Sequence, residues 1–155
     1  MKEQIAESQV PALKADERER MLTLARGIAD LLQEKKARDV IVMDLERVNP
    51  YFCFFVIATA TSPVHLKSLT RDTSKRFGEY LPRKHHVSPD DVASGWVILD
   101  FIDVVVHLFV PEQRAYYNLE RLWGDAGVVL DARQPPPSTR AESPDADPPA
   151  APTSR

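Results

Sequence analysis

The chain of 155 residues carries 20 Lys and Arg against 23 Asp and Glu and is 43% hydrophobic, a composition typical of a globular protein with one domain. Its formal net charge of −3 argues against a protein that coats nucleic acid or anionic lipid, because both tasks usually require a basic surface. The single cysteine, Cys53, excludes an intrachain disulfide, and one cysteine with four scattered histidines does not give the spacing of a structural zinc site.

The two ends of the chain differ in composition from the middle. The first twenty residues lack the apolar stretch of a signal peptide, and no run approaches the ~18 apolar residues of a membrane span, so we predict a cytoplasmic protein without membrane contact. Seven of the 13 prolines follow residue 133, in a stretch with no aromatic residue and no Ile, Leu or Val. Such a stretch buries too little apolar surface to offset its ordering entropy. We predict a flexible N-terminus over residues 1–12, a domain over 13–130 and a disordered proline-rich tail over 131–155.

In chain order, the first predicted element is an amphipathic helix that begins near Asp16, because apolar residues then recur every three or four positions. Residues 40–45 and 54–60 are short, β-branched and apolar, as expected of strands covered on both faces. Ser62 can cap a second helix that has Pro63 at its first position and ends at Pro82. A short strand is predicted over residues 84–87 and a turn over residues 88–91.

The strongest local pattern is a pair of strand-like runs, residues 96–101 and 104–110, separated only by Ile102 and Asp103. This spacing predicts a tight hairpin, although neither turn residue favours a positive φ. Pro111 opens a third helix, and Gly124 lies where a left-handed C-cap would follow. A helix between strands favours one right-handed parallel crossover, and the hairpin adds antiparallel strands. The predicted fold is therefore α/β, a mixed sheet with one parallel crossover and a C-terminal hairpin, with helices packed on it.

Two carboxylates beside the hairpin turn are the first candidates for chemistry. Asp100 and Asp103 flank the turn, and paired carboxylates at strand ends commonly hold Mg²⁺ for nucleotidyl transfer. Such an enzyme also needs a phosphate-binding backbone, yet residues 58–62 contain no glycine and the chain lacks the common phosphate-loop motifs. The other interpretation is that both are solvated turn residues or form ion pairs with a partner. A Mg-dependent nucleotidyltransferase is therefore kept as the alternative hypothesis. The favoured hypothesis is a protein that binds a partner, and it predicts no cofactor and no metal.

Cys53 and His107 could serve as a nucleophile and its base, but each also has a structural interpretation. A cysteine among phenylalanines is usually a small buried hydrophobe whose pKa is raised by its apolar surroundings. His107 lies between Val106 and Leu108 in a buried run, which is typical of a hydrogen-bonded core histidine. We therefore favour structural roles for both.

Aromatic residues near the hairpin are candidates for contact with a partner. Trp96, Ile98 and Asp100 share one face of their strand, and Trp is enriched at binding hot spots, although a Trp at a strand start is also typical of an ordinary core. Tyr116 and Tyr117 are sequential on a helix, so one can pack inward while the other projects outward.

Several of these motifs together resemble one known family. The segment DVVVHLF at residues 103–109 is followed by Glu112, Tyr117 and the segment LERLWGDA at residues 119–126. Earlier come FVIAT at 55–59, the Thr61–Ser62 cap with His65 and Lys67 after it, and WVILD at 96–100. Over roughly residues 20–126 the chain resembles the ribosomal silencing factors of the Iojap family.

The resemblance implies a nucleotidyltransferase-like fold without transferase activity. It also implies binding to the large ribosomal subunit through its protein fourteen, steric exclusion of the small subunit, repression of translation and assistance to large-subunit maturation. No direct nucleic-acid specificity is expected, and a homodimer is left open. Because ribosomal protein surfaces are typically basic, carboxylates around a Trp would be complementary in charge. The predicted partner contacts are the apolar anchors Trp96 and Ile98, the ionic contacts Asp100 and Asp103, and the lesser contacts Tyr116 and Glu120.

Three residues depart from the family pattern. Ala60 stands where a glycine usually precedes Thr-Ser, which removes the last trace of a phosphate-cradling loop. Ile102 stands where the hairpin usually has glycine. Phe54 stands at the start of a strand that the sequence Asp-Tyr-Phe commonly precedes in the family. The turn type of the hairpin is the feature that these departures leave most open.

Overall fold

The computed structural model describes residues 10–83 and 85–133. Five strands form one sheet, namely β1 (Arg38–Asp44), β2 (Phe54–Thr59), β3 (Trp96–Asp100), β4 (Val104–Phe109) and β5 (Gly127–Asp131). Their order across the sheet is β3–β4–β2–β1–β5. The central pair β2 and β4 is parallel, and the other three pairs are antiparallel. The predicted mixed sheet with one parallel pair and a closing hairpin is confirmed.

The helices are α1 (Val10–Glu34), α2 (Pro63–Arg76), α3 (Pro89–Ser94), α4 (Pro111–Tyr117) and α5 (Leu119–Leu122), with a 3-10 turn at Gly78–Tyr80. The predicted cap of α2 is present, because Ser62 Oγ accepts a hydrogen bond from the backbone N–H of His65 at 3.1 Å. No helix in the described part of the chain is long and apolar enough to cross a lipid bilayer.

The sheet separates two apolar clusters. On one side, which we call the helix face, α1 and α2 cover alternate strand residues such as Val42, Val56 and Leu99. On the other side, which we call the aromatic face, the cluster includes Phe55, Phe109 and Leu119 of α5, with Phe52 and Trp123 packed against it. Every residue of β2 and β4 is buried, because both strands are covered on both faces. β3, at the edge, alternates between buried and accessible positions.

The hairpin between β3 and β4 turns through a left-handed residue. Ile102 has a φ of 76°, a conformation that a β-branched side chain rarely adopts. Two hydrogen bonds hold it there, because Asp100 Oδ1 accepts from the backbone N–H of Ile102 at 2.7 Å and the N–H of Phe101 donates to the carbonyl of Val104 at 2.8 Å. The predicted tight hairpin is confirmed, and its turn requires the positive φ that the two turn residues disfavour.

The structure corrects several helix boundaries. α1 begins at Val10 rather than near Asp16, and α2 ends at Arg76, followed by the 3-10 turn, rather than continuing to Pro82. The predicted turn at residues 88–91 is the start of α3, because Ser88 and Asp91 form a reciprocal capping box. The third predicted helix is two helices, since Asn118 between them has a φ of 42°.

The strand predictions need two corrections. Of the strand predicted over residues 84–87, residues 85–87 form no strand and Lys84 lies outside the described residues. β5 was not predicted; it pairs with β1 at the far edge and includes Asp131, the first residue assigned to the tail. The remaining tail prediction, from residue 134 onward, and the prediction for residues 1–9 fall outside the described residues.

Candidate docking surface on the aromatic face

The edge strand β3 presents three of the predicted contact residues on the aromatic face. Trp96, Ile98 and Asp100 alternate along it with residues that are buried on the helix face. Trp96 is half-buried, Asp100 is exposed, and Ile98 is 44% exposed although it is a large aliphatic side chain. The structure therefore brings these three side chains together, as their spacing predicted.

The backbone N–H and C=O groups of the same three residues point outward from the open edge of the sheet, away from β4. Gly95 accepts a hydrogen bond from the N–H of Val110, the residue after β4, at 2.9 Å, and Phe101 donates one to the carbonyl of Val104 in β4 at 2.8 Å. In an antiparallel pair the bonded positions alternate, so the N–H and C=O groups of Trp96, Ile98 and Asp100 face outward. Ser94 Oγ accepts a hydrogen bond from the outward N–H of Trp96 at 3.3 Å and donates one to its outward carbonyl at 3.2 Å.

An aromatic cluster supports Trp96 from below. Its indole stacks on Phe109 with ring centroids 5.1 Å apart and contacts the ring of Tyr117 at 4.4 Å. Tyr117 in turn contacts Tyr116 edge-on at 5.1 Å, and Tyr116 is 80% exposed. Tyr117 therefore packs against the tryptophan although it is itself 44% exposed, and Tyr116 projects outward. The half-buried Trp96 takes part both in the core and in the surface.

His107 lies beneath this cluster as a neutral core residue. Its side chain is 6% exposed, and its Nδ1 accepts a hydrogen bond from Trp96 Nε1 at 3.2 Å. Burial lowers the pKa of His107 to about 4, because desolvation disfavours the imidazolium. The ring of Phe55 also packs edge-on against the imidazole, with ring centroids 4.6 Å apart. The interpretation of His107 as a hydrogen-bonded core residue is therefore confirmed.

Cys53 belongs to the opposite side of the sheet from His107. Its half-buried side chain packs against the helix-face cluster. Burial, and then the nearby charge of Asp103, raise the pKa of its thiol. The sheet therefore separates Cys53 from His107, and the nucleophile–base pair weighed from the sequence is not formed.

Asp100 and Asp103 lie in different surroundings although they flank the same turn. Asp100 is on the aromatic face, whereas Asp103 lines a cavity of about 170 Å³ beside the N-terminal half of α1, together with Lys14, Arg18 and Cys53. Within the described residues, no group of three or more His, Cys, Asp and Glu could hold a metal ion. The two carboxylates therefore do not form one cluster with a third acidic or imidazole group.

Glu120 is engaged inside the domain. Its carboxylate pairs with the guanidinium of Arg114, and the two side chains are 12% and 11% exposed. Arg114 also donates to Thr59 Oγ1 at 2.8 Å and to the carbonyl of Asp39 at 2.9 Å. This pair connects the segment after β4 to the sheet. The predicted partner contacts of Glu120 and Asp103 stay predictions, although both residues have structural neighbours of their own.

Further exposed apolar residues were missed by the sequence interpretation. Val128 is 53% exposed and pairs in register with Met43, a member of the aromatic-face cluster, so it lies on the same face. Leu122 of α5 is 71% exposed. Val128 was missed because β5 was not predicted. Leu122 was missed because α5, which follows the break at Asn118, is too short to show helical periodicity in the sequence.

The fold and this surface define a small α/β domain with helices over one side of its sheet and an accessible aromatic and acidic edge on the other. The sequence matches the family described as ribosomal silencing factor during starvation over residues 18–154. The chain belongs to this family, whose members are ribosome-associated regulators of translation by description. The family resemblance predicted from the sequence is confirmed.

Curated relatives include the ribosomal silencing factor of Bacillus subtilis, 32% identical over 109 residues that cover 70% of this chain and 89% of the relative. The chloroplast protein Iojap of Zea mays is 37% identical over 123 residues, 77% of this chain and 51% of the relative. A mouse protein named for mitochondrial assembly of the ribosomal large subunit is 32% identical over 99 residues, 62% of this chain and 43% of the relative. The chain thus spans about half the length of the plant relative and most of the bacterial one.

Two solved structures share the fold. A crystal structure from Bacillus halodurans is 30% identical with a TM-score of 0.56, covering 72% of this chain and 98% of that one. An X-ray structure from Chromobacterium violaceum is 28% identical with a TM-score of 0.57, covering 81% of this chain and 96% of that one. These similarities confirm the predicted α/β architecture.

Proposed function

We propose that the protein represses translation in the cytoplasm by binding the large ribosomal subunit through its protein fourteen. Bound there, it sterically blocks joining of the small subunit, and it also assists maturation of the large subunit. The observation that carries the proposal is the accessible apolar edge formed by the half-buried Trp96 and the exposed Ile98 in a chain of the silencing-factor family.

The chemistry of the edge suits a protein partner. Ile98 and Tyr116 expose apolar surface, and interface centres are rich in aromatic side chains. Asp100 adds a negative charge beside them, which favours a basic ribosomal protein and increases the rate of encounter. The outward backbone of Ile98 offers main-chain hydrogen bonds to an extended partner segment. These features together support a protein-docking role for the aromatic face.

A subunit-joining assay tests the proposal. Purified small and large subunits are mixed with the protein, and joining is followed by light scattering. The wild-type chain should suppress joining in proportion to its concentration. We call Trp96, Ile98 and Asp100 the docking edge. Ile98→Asp should lose the suppression, because it places a charge at the centre of this edge without removing a buried side chain.

The matched control is Tyr80→Asp, which changes a 52% exposed aromatic residue that lines a cavity against α1. This variant should suppress joining as well as the wild type. Equal suppression by Ile98→Asp and the wild type would contradict the placement of the docking surface, and no suppression by any folded form would contradict the function.

A further inference from the structure

The solvent side of α2 carries a line of cations. Its buried residues are Leu66, Leu69, Thr70 and Thr73, and the two leucines belong to the helix-face cluster. Lys67, Arg71 and Lys75 recur every four residues and are all exposed. At 1.5 Å of rise per residue, successive members of this line are about 6 Å apart along the helix.

This basic line contrasts with the acidic character of the chain. α2 contains four cations and one carboxylate, a local charge of +3, whereas the whole chain carries −3. The docking edge around Asp100 lies on the opposite face of the sheet from α2. Charge is therefore separated between the two sides of the domain, which the net charge does not reveal.

The cations of this line are weakly engaged within the domain. Arg71 pairs with Asp72 at 3.3 Å and donates to Ser68 Oγ at 3.4 Å, and its side chain is 72% exposed. Among the described residues, Lys67 and Lys75 have no ion-pair partner. Exposed single-contact pairs contribute little to stability, so an external anion can replace them at small cost.

Grooves on both sides of α2 extend the basic surface. Between α1 and α2, a cavity of about 430 Å³ is lined by Lys35, Lys75 and Arg76, and also by Asp72 and by Glu34, which pairs with Arg76 at 3.4 Å. Between α2 and α3, a groove of about 520 Å³ is bordered by Lys67 and Arg71. An elongated anion lying along α2 would therefore meet cations on either side.

We propose that the outer face of α2 binds the phosphate backbone of RNA without sequence preference. Regularly spaced cations suit a chain of phosphates, and backbone contacts carry no base specificity. An acidic protein segment is the alternative occupant, because the groove between α2 and α3 is lined by Pro63, Val87 and Val92 as well as by Lys67 and Arg71, and the test below distinguishes the two. This inference goes beyond the proposed function, because it concerns the opposite face of the sheet.

The test measures fluorescence anisotropy of a labelled 16-base-pair RNA duplex between 50 and 200 mM KCl. Three phosphate contacts predict that log K falls with log salt with a slope of roughly −2 to −3. The variant Lys67→Gln, Arg71→Gln, Lys75→Gln should bind at least ten times more weakly at 50 mM KCl and lose most of this slope. Circular dichroism confirms that each variant is folded.

The control variant is Lys14→Gln, Arg20→Gln, Arg26→Gln, which removes three exposed cations of α1 and gives the same net charge. It should keep near wild-type affinity. Equal weakening by both triple variants would overturn the proposal in favour of a net-charge effect. Absence of wild-type binding at 50 mM KCl, or equally tight binding to labelled polyglutamate, would also overturn it. Ile98→Asp should leave RNA affinity unchanged, so failure of this proposal is distinguishable from failure of the docking function.

Discussion

Trp96 donates a hydrogen bond from its indole Nε1 to Nδ1 of His107 across 3.2 Å. This bond requires a neutral imidazole, and burial lowers the pKa of His107 to about 4, so the acceptor is present at neutral pH. The bond and the stacking on Phe109 hold the indole in one orientation. The proposed docking edge is therefore ordered without a partner, which would reduce the entropic cost of association.

The depressed pKa of His107 predicts that stability falls as pH is lowered. Above pH 6.5 the imidazole is neutral in both folded and unfolded chains. Below that value the unfolded chain takes up a proton, whereas the folded chain does so only near pH 4. We expect His107 to account for a loss of about 2 kcal/mol in the free energy of unfolding between pH 7.5 and pH 5. Urea titrations at the two pH values measure it.

His107→Gln is the control for this pH dependence. The variant has no titrating group at this position, so its free energy of unfolding should change less between the two pH values than that of the wild type. An identical pH dependence in the two proteins would show that His107 is protonated in the folded state as easily as in the unfolded chain.

The ion pair between Arg114 and Glu120 predicts a stability defect. Glu120→Gln leaves the guanidinium of Arg114 nearly buried without its carboxylate, and breaking a buried pair typically costs ~3 to 5 kcal/mol. Glu112→Gln, an exposed acid in the first turn of α4, should change stability by less than about 0.5 kcal/mol. Denaturant titration compares them. If Glu120→Gln keeps its stability but binds ribosomes weakly, the internal role is wrong and the predicted partner contact is favoured.

The left-handed conformation of Ile102 predicts that glycine stabilises the hairpin. A side chain in this region costs about 1 to 2 kcal/mol, which exceeds the entropy that glycine adds to the unfolded chain. Ile102 is 62% exposed, so little packing is lost. Ile102→Gly should raise the free energy of unfolding by roughly 1 kcal/mol. Ile102→Ala keeps the Cβ atom and should give no such gain; equal gains in both variants would exclude backbone strain as the cause.

The mixed sheet, with a parallel crossover and a closing hairpin, could be predicted because its central strands have unambiguous patterns, whereas the strand order was not predicted. β2 and β4 are continuous apolar runs, Ser62 and Pro63 signal the start of α2, and two residues separate the hairpin strands. β5 could not be predicted from local pattern. It is a short edge strand, and its residues are exposed or half-buried, so the alternation that marks a strand is weak.

The candidate surface could be predicted only in part. Alternation along β3 placed Trp96, Ile98 and Asp100 on one face, because strand geometry fixes that relationship locally. The surroundings of Glu120 depend on Arg114 reaching Thr59, 55 residues earlier, and sequence spacing carries no signal of that contact. The position of Asp103 beside α1 is likewise set by tertiary packing.

Calorimetric titration of purified protein fourteen of the large subunit tests whether the edge of β3 binds it. We expect saturable binding by the wild type and by Tyr80→Asp. Ile98→Asp should weaken binding roughly 30-fold, since loss of a hot spot costs ~2 kcal/mol. Asp100→Asn should bind more weakly, with less dependence on salt. Unchanged affinity in a folded Ile98→Asp variant would contradict binding at the edge of β3, and no binding by the wild type would contradict binding to protein fourteen.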